Sequence, residues 1–176
     1  MPINKGKGDP MGCGSYRGIK LLEHAMKVVE RIFEYRIRQQ IEIDDMQFGF
    51  MKGKGTTDAI LWQDRCRRIL AKGKKLYFGF VDLEKAFDRV PREMISWAMR
   101  KLGVEEWLVL AVMSMYTGAK TVVKTVYGNS KGFEVKVGMH QGSALSPLLF
   151  VINTKNCSLS IVLTATDQKP QKSLKR

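Results

Sequence analysis

Phe80-Val81-Asp82-Leu83-Glu84-Lys85-Ala86-Phe87-Asp88 is the stretch on which the reading of this chain turns. It closes a short apolar and aromatic run, Leu76-Tyr77-Phe78-Gly79-Phe80-Val81, whose composition suits a buried β-strand. Asp82 then stands at the end of a strand, where a carboxylate at a sheet edge can hold a divalent ion. A lone Asp at such a junction serves equally well as a helix cap. Asp88 reads as a cap or brace for the next helix, which Pro91 opens, which runs through Leu102 and which Gly103 ends.

Moving downstream, another helix is expected over residues 105–116. Residues 121–127 and 132–137 are β-rich runs on either side of Gly128-Asn129-Ser130, which predicts a hairpin turning there. It leads into Val137-Gly138-Met139-His140-Gln141-Gly142-Ser143-Ala144-Leu145-Ser146-Pro147-Leu148-Leu149-Phe150. Two glycines around Gln141 let backbone approach a ligand closely, and the Gln amide can donate and accept together, so the segment could read a nucleotide. The plain alternative is a hairpin-to-helix connection with a solvated Gln. Ser146-Pro147 marks the start of the helix that follows.

Upstream, residues 1–15 hold four glycines and two prolines and read as irregular coil. Leu22, Met26, Val29, Phe33 and Ile37 then form an apolar stripe at helical spacing. The other faces of that helix carry Lys27, Arg31, Arg36 and Arg38. A glycine-punctuated loop over 47–55 precedes a second helix, with Thr57 as its expected cap, Ile60, Leu61, Ile69 and Leu70 as apolar positions and Gly73 as its end.

The 176 residues carry 30 Lys plus Arg against 17 Asp plus Glu, a net +13 that favours polyanionic partners, nucleic acid first. Arg65, Arg67, Arg68, Lys72, Lys74 and Lys75 are the densest positive cluster, suited to a nucleic-acid backbone or simply to solvent. Beyond Glu106 the acidic residues are Glu134 and Asp167 alone. Cys13, Cys66 and Cys157 are odd in number and far apart, which suggests neither a disulfide framework nor a zinc site. No apolar run approaches the roughly 18 residues that span a bilayer, and no secretory core is present, so the chain is expected inside the cell, in nucleus or cytoplasm. His24 and His140 read as structural or exposed, and the methionines as core filler.

Together the two central segments are far more specific than either alone. Asp82-x-x-x-Ala86-Phe87-Asp88, followed some fifty residues on by Gln141-Gly142-x-x-Leu145-Ser146-Pro147-Leu148-Leu149-Phe150, resembles the first two palm motifs of non-LTR (LINE-type) retrotransposon reverse transcriptases. Lys5-Gly6-Lys7-Gly8-Asp9, Tyr16-Arg17-Gly18-Ile19-Lys20-Leu21-Leu22 and Gln47-Phe48-Gly49-Phe50 before Thr56-Thr57-Asp58-Ala59-Ile60 are similar to that family's fingers motifs, in the same order. The likeness covers about residues 2–152.

The resemblance implies an α+β right-hand polymerase fragment: a fingers-like region over 1–75, a partial palm with an incomplete sheet over 76–152, and a poorly ordered tail of other origin over 153–176. It implies two-metal nucleotidyl transfer, with Asp82 as the catalytic Mg²⁺ ligand and the Leu83 and Glu84 backbone near the triphosphate. It places Phe87 where a 2′-hydroxyl is excluded, Gln141 and Gly142 on the nucleotide and its templating base, and Arg17 on the triphosphate. The partners implied are an RNA template, a DNA primer and dNTPs.

The chain also departs from that pattern. Two-metal transfer needs several converging carboxylates, and the family's aromatic-Ala-Asp-Asp segment does not occur in this sequence. Thr164-Ala165-Thr166-Asp167 lacks the second Asp and the apolar flanks. Lys52 and Lys54 stand where a Pro and an Arg are usual. Both ends read as cut, so the expectation is a partial retroelement copy or incomplete gene model, inactive by itself. The alternative is a noncatalytic, basic nucleic-acid-binding remnant.

Overall fold

The structure, a computed structural model, describes residues 2–6, 8–70 and 83–156. The expected strand over 76–81, Asp82, Lys72, Lys74, Lys75, the helix end at Gly73 and the tail from residue 157 lie outside the described residues.

The described chain mixes helices with small two-stranded sheets. Within its first fifteen residues the described chain is only partly the coil that glycine content suggests. Strand β1 (Pro2–Asn4) pairs antiparallel with β2 (Tyr16–Gly18), Ile3 opposite Arg17. Side-chain turns close the connection: Asp9 Oδ1 accepts the Met11 N–H, and Ser15 Oγ donates to Asp9 O.

Helix α1 (His24–Gln40) follows the 3.6-residue period, and its inward face keeps only the second half of the apolar stripe, Phe33 and Ile37. Glu30 and Ile37 are buried and Phe33 packs on the core, whereas Met26 and Val29 remain 36% exposed. A carboxylate can displace an aliphatic residue from a core-facing position only if its oxygens find donors there. Glu30 finds two, described below.

Helix α2 (Thr56–Leu70) starts one residue before its expected cap. Thr57 lies within the first turn, and Asp58 Oδ2 instead accepts the Gly55 N–H at 2.6 Å, satisfying a donor at the helix entrance. Ile60 and Leu61 point outward, 53% and 61% exposed.

The core is made by α4 (Arg92–Lys101), α5 (Glu106–Ser114) and α6 (Ser146–Asn156), with α4 packed on both others and α1 against α5. Ile95, Ala98 and Met99 meet Leu108, Val109 and Val112 and Leu145, Leu148, Leu149 and Ile152 there. Only some methionines serve as core: Met99 and Met139 are buried, while Met11 is 90% exposed. The end of α4 is as the sequence predicts. Gly103 takes φ +80°, its N–H reaching Arg100 O while the Val104 N–H reaches Met99 O, a Schellman closure. Helix α6 runs past Ile152, with buried Asn153 donating from Nδ2 to Leu149 O.

The predicted hairpin forms, with a shifted turn. Strands β3 (Lys120–Thr121) and β6 (Phe133–Glu134) pair at its base, and β4 (Lys124–Thr125) pairs with β5 (Gly128–Asn129) above them. Thr125 faces Gly128, so the reversal falls at Val126-Tyr127 and Gly128-Asn129 is already strand. Among the described residues no helix is long and apolar enough to cross a membrane.

Candidate functional site

Where the chain leaves the hairpin it is clamped against the segment following Asp82. The Gly138 N–H donates to Val90 O and the Met139 N–H to Phe87 O at 2.8 Å, so residues 138–139 lie along 87–90. The approach is too close for a side chain: a Cβ at Gly138 would sit 2.7 Å from Asp88 O, and its φ is +87°. A little further along, Gly142 has φ +98°, and its Cβ would meet Lys20 O at 2.7 Å. The Lys20 N–H donates to Gln141 O at 2.8 Å. Each glycine is therefore required by both conformation and contact, and between them they stitch three sequence-distant segments together.

Glu30 fixes the loop from below. Its carboxylate, 2% exposed, accepts from Ser143 Oγ and from the Ala144 N–H, each at 2.8 Å. Ser143 Oγ in turn accepts the N–H groups of Leu145 and Ser146, so it caps α6 while donating its own proton to Glu30. A buried anion beside the first turn of a helix also complements the helix dipole.

These constraints open a cleft of about 650 Å³, lined by Arg17, Phe50, Leu83, Glu84, Phe87, Asp88, Gln141 and Gly142 among others. That volume falls within the usual range for small-ligand sites. Arg17, Leu83, Glu84, Phe87, Gln141 and Gly142, singled out from the sequence, thus converge on one concavity although they come from separate parts of the chain. Asp82 lies outside the described residues. Arg65, Arg67 and Arg68 are on the exposed side of α2 and do not line the cleft.

Phe87 belongs to core and cleft at once. Its ring stacks on Phe150 with centroids 4.8 Å apart, meets Phe50 edge-on at 6.1 Å, and forms part of the cleft wall. Lys85 precedes it in the left-handed region, φ +53°, which turns the chain sharply into the short helix α3 (Ala86–Arg89). Asp88 does brace its surroundings, but the partner is the Gln141 side chain, whose Nε2 donates to Asp88 Oδ1 at 3.0 Å. The sequence could not show this pairing, since 53 residues separate the two.

His140 is buried rather than exposed and packs on the Tyr116 ring, centroids 4.7 Å apart. Burial, then the charges of Lys20 and Arg92, push its pKa down to about 4, so the ring is neutral at physiological pH. Burial and the nearby Arg92 guanidinium likewise hold Lys20 below the usual lysine range, with Asp88 opposing them. Burial lifts Tyr116 above its ordinary value. His24, by contrast, is exposed at the start of α1.

Divalent ions want several converging oxygen ligands. Glu84 and Asp88 bring carboxylates to the cleft, but among the described residues no three Asp, Glu, His or Cys side chains converge. The described residues do not by themselves make a metal centre, and the Mg²⁺ ligand that the motifs imply, Asp82, lies outside them.

The structure alone thus gives a basic chain of helices and small sheets with a cleft built on two close-approach glycines. Its family is established by comparison. The chain belongs to the reverse transcriptase (RNA-dependent DNA polymerase) family, whose model matches residues 3–164. It is 29% identical over 164 residues to a Retrovirus-related Pol polyprotein from the type-1 retrotransposable element R2 of Nasonia vitripennis, covering 93% of this chain and 15% of that protein. It is 31% identical over 165 residues to the RNA-directed DNA polymerase from mobile element jockey of Drosophila funebris, covering 88% and 17% respectively. Against the Putative 115 kDa protein in type-1 retrotransposable element R1DM of Drosophila melanogaster the identity is 32% over 151 residues, covering 85% and 14%. The chain spans 14–17% of the length of these relatives. The likeness to LINE-type reverse transcriptases drawn from the motifs is borne out, and the matched stretch runs beyond Ile152.

Proposed function

We propose that these residues supply the fingers and the front of the palm of an RNA-directed DNA polymerase, and that the cleft is the seat of the incoming dNTP. The observation that carries the reading is the convergence of Arg17, Leu83, Glu84, Phe87, Gln141 and Gly142 on one cleft, the same residues to which the sequence motifs alone give nucleotide contact. On this reading Arg17 pairs with the triphosphate, where a planar guanidinium can bond two oxygens at once. The Leu83 and Glu84 backbone runs beside the phosphates. Phe87, fixed by its stack on Phe150, presents a rigid edge that a 2′-hydroxyl would strike. Gln141 and Gly142 lie against the base and its template partner. Asp82 would hold Mg²⁺, whose charge would neutralise phosphate oxygens and lower the pKa of the primer hydroxyl. The RNA template and DNA primer follow the basic surface, with Arg65, Arg67, Arg68, Lys72, Lys74 and Lys75 as backbone contacts.

By themselves the 176 residues lack the further carboxylate pair that two-metal transfer demands, so the chain is expected to bind dNTP without incorporating it. Primer extension with RNA template, dNTPs and Mg²⁺, run beside equilibrium binding of a labelled dNTP, tests both halves. Binding weakened by Arg17→Ala, with no extension, supports the reading. Extension abolished by Asp82→Ala would overturn the inactivity. A chain that binds oligonucleotides in a salt-sensitive way, yet no dNTP in the cleft, would be a noncatalytic nucleic-acid-binding remnant instead.

A further inference from the structure

The β3–β6 hairpin ends in a tip that folding does not explain. Two-residue hairpin loops favour Asn, Asp and Gly, yet here the loop is Val126-Tyr127, with side chains 94% and 98% exposed. Phe133 lower on the hairpin is 48% exposed. Lys120, Lys124 and Lys131 lie on the same hairpin and Lys136 just beyond it, all exposed, and Glu134 is the sole acid between 120 and 136. Glu134 lies 4.0 Å from Lys136, and among the described residues the other three lysines form no ion pair.

The element is held in shape. Thr125 Oγ1 accepts the Tyr127 N–H at 3.2 Å and donates to Gly128 O at 3.0 Å. Ser130 Oγ accepts the Val123 N–H and donates to Lys131 O. At the base, the Arg92 guanidinium donates to Tyr116 O at 2.6 Å and to Val135 O, tying the hairpin to α4. Six residues beyond Glu134 the chain reaches His140 on the cleft wall.

An aromatic ring with open faces on a braced hairpin that also carries unpaired cations matches single-stranded nucleic acid: the ring stacks on an unpaired base and the cations neutralise the flanking phosphates. A duplex offers no open base face. We propose that the hairpin over 120–134 is a contact for single-stranded nucleic acid, with Tyr127 as the stacking residue and Lys120, Lys124 and Lys131 as phosphate contacts. The choice of partner rests on the polymerase reading above; the assignment to the hairpin does not.

The test uses the whole chain and fluorescence anisotropy of a labelled single strand of about 20 nucleotides, longer than one such contact occupies. Tyr127→Ala is expected to weaken binding about tenfold, the order of one lost base stack, and Tyr127→Phe to keep it. Lys124→Gln with Lys131→Gln is expected to flatten the dependence of affinity on salt. Because Tyr127 is nearly fully exposed, circular dichroism of Tyr127→Ala should match the parent. Photocrosslinking of a bromouridine oligonucleotide reads the contact without any variant, and the peptide bearing Tyr127 is expected among the products. Wild-type affinity in Tyr127→Ala, absence of that peptide, or no binding by the parent chain would each overturn the proposal. The two readings fail separately: unchanged oligonucleotide binding in the hairpin variants leaves the dNTP cleft standing, whereas loss of dNTP binding alone leaves the hairpin.

Discussion

Replacing Glu30 by Ala probes the joint on which the cleft loop is hung. The carboxylate is 2% exposed and accepts two hydrogen bonds of 2.8 Å, from Ser143 Oγ and the Ala144 N–H. A hydrogen bond to a charged group contributes about 1.5–3 kcal/mol, and a buried donor stripped of its acceptor costs about 1–3 kcal/mol. Alanine removes both bonds and leaves both donors beside a small void. The replacement gains a few tenths of a kcal/mol in helix propensity, too little to matter. The expected loss is about 3–5 kcal/mol, a large share of a domain's usual 5–15 kcal/mol. For a chain of this length it corresponds to a fall in Tm of roughly 6–20 °C. Glu30→Gln keeps one acceptor oxygen but turns an NH₂ toward a donor, so about 1–3 kcal/mol is expected. Urea unfolding of the parent, both variants, Ser143→Ala and the double variant measures the effect and its coupling. Since Ser143 also caps α6, Glu30→Ala and Ser143→Ala should be non-additive by at least about 0.5 kcal/mol. A Glu30→Ala protein within about 0.5 kcal/mol of the parent, the range of ordinary surface changes, would show that the carboxylate does not anchor the loop.

The close-approach glycines give a graded series. Gly138→Ala and Gly142→Ala must both bear strain from a positive φ and move backbone atoms 2.7 Å away, whereas Gly53→Ala, φ +78° with nothing within 4 Å, bears the strain alone. The first two are expected to lose about 2–4 kcal/mol and the third about 1–2 kcal/mol by urea unfolding, and equal losses would show that the contacts yield freely. For His140 the folded pKa, about 4, lies below the ordinary 6.5, so the unfolded chain binds the extra proton. This contribution is fully present above pH 6.5 and falls away as pH drops toward 4, by up to about 3 kcal/mol. His140→Gln should flatten stability across that window, and a His140 imidazole signal, assigned by its loss in His140→Gln, that titrates near 6.5 by NMR in the folded chain would overturn the assignment.

How far the sequence could be read depended on whether a feature was local. The end of α4 was legible because a Schellman closure needs a glycine just past the last turn, and Gly103 is that glycine. The cleft residues were legible through the family motifs, and through glycines at 138 and 142 that mark close backbone approach. What stayed hidden was long-range. Glu30 sat among polar residues of an amphipathic helix, and nothing near it announces Ser143 and Ala144 as donors. The N-terminal ladder hid for a related reason: three-residue strands have no period to detect, and glycines at 6, 8, 12 and 14 outweighed them. In the hairpin, Gly128-Asn129 carried the stronger turn signal, yet the pairing of Thr125 with Gly128 placed the reversal two residues earlier. Turn chemistry lost there to the register of the ladder.

The bond from Gln141 to Asp88 bears on how the cleft can take a ligand. Gln141 Nε2 gives one of its two N–H groups to Asp88 at 3.0 Å, while its backbone oxygen accepts the Lys20 N–H. On the dNTP reading, a nucleotide can use the second Nε2 hydrogen or the amide oxygen without breaking the Asp88 bond. Either route keeps the loop braced on both sides, by Asp88 from the segment after Asp82 and by Glu30 from α1, so that bracing need not be rearranged on binding. On the dNTP reading, the Gln141 oxygen and its second Nε2 hydrogen are both left to a base edge, which offers donors and acceptors together. Arg17, which lines the same cleft, would then supply guanidinium donors to the phosphates, so base and triphosphate would be held by different residues of one concavity.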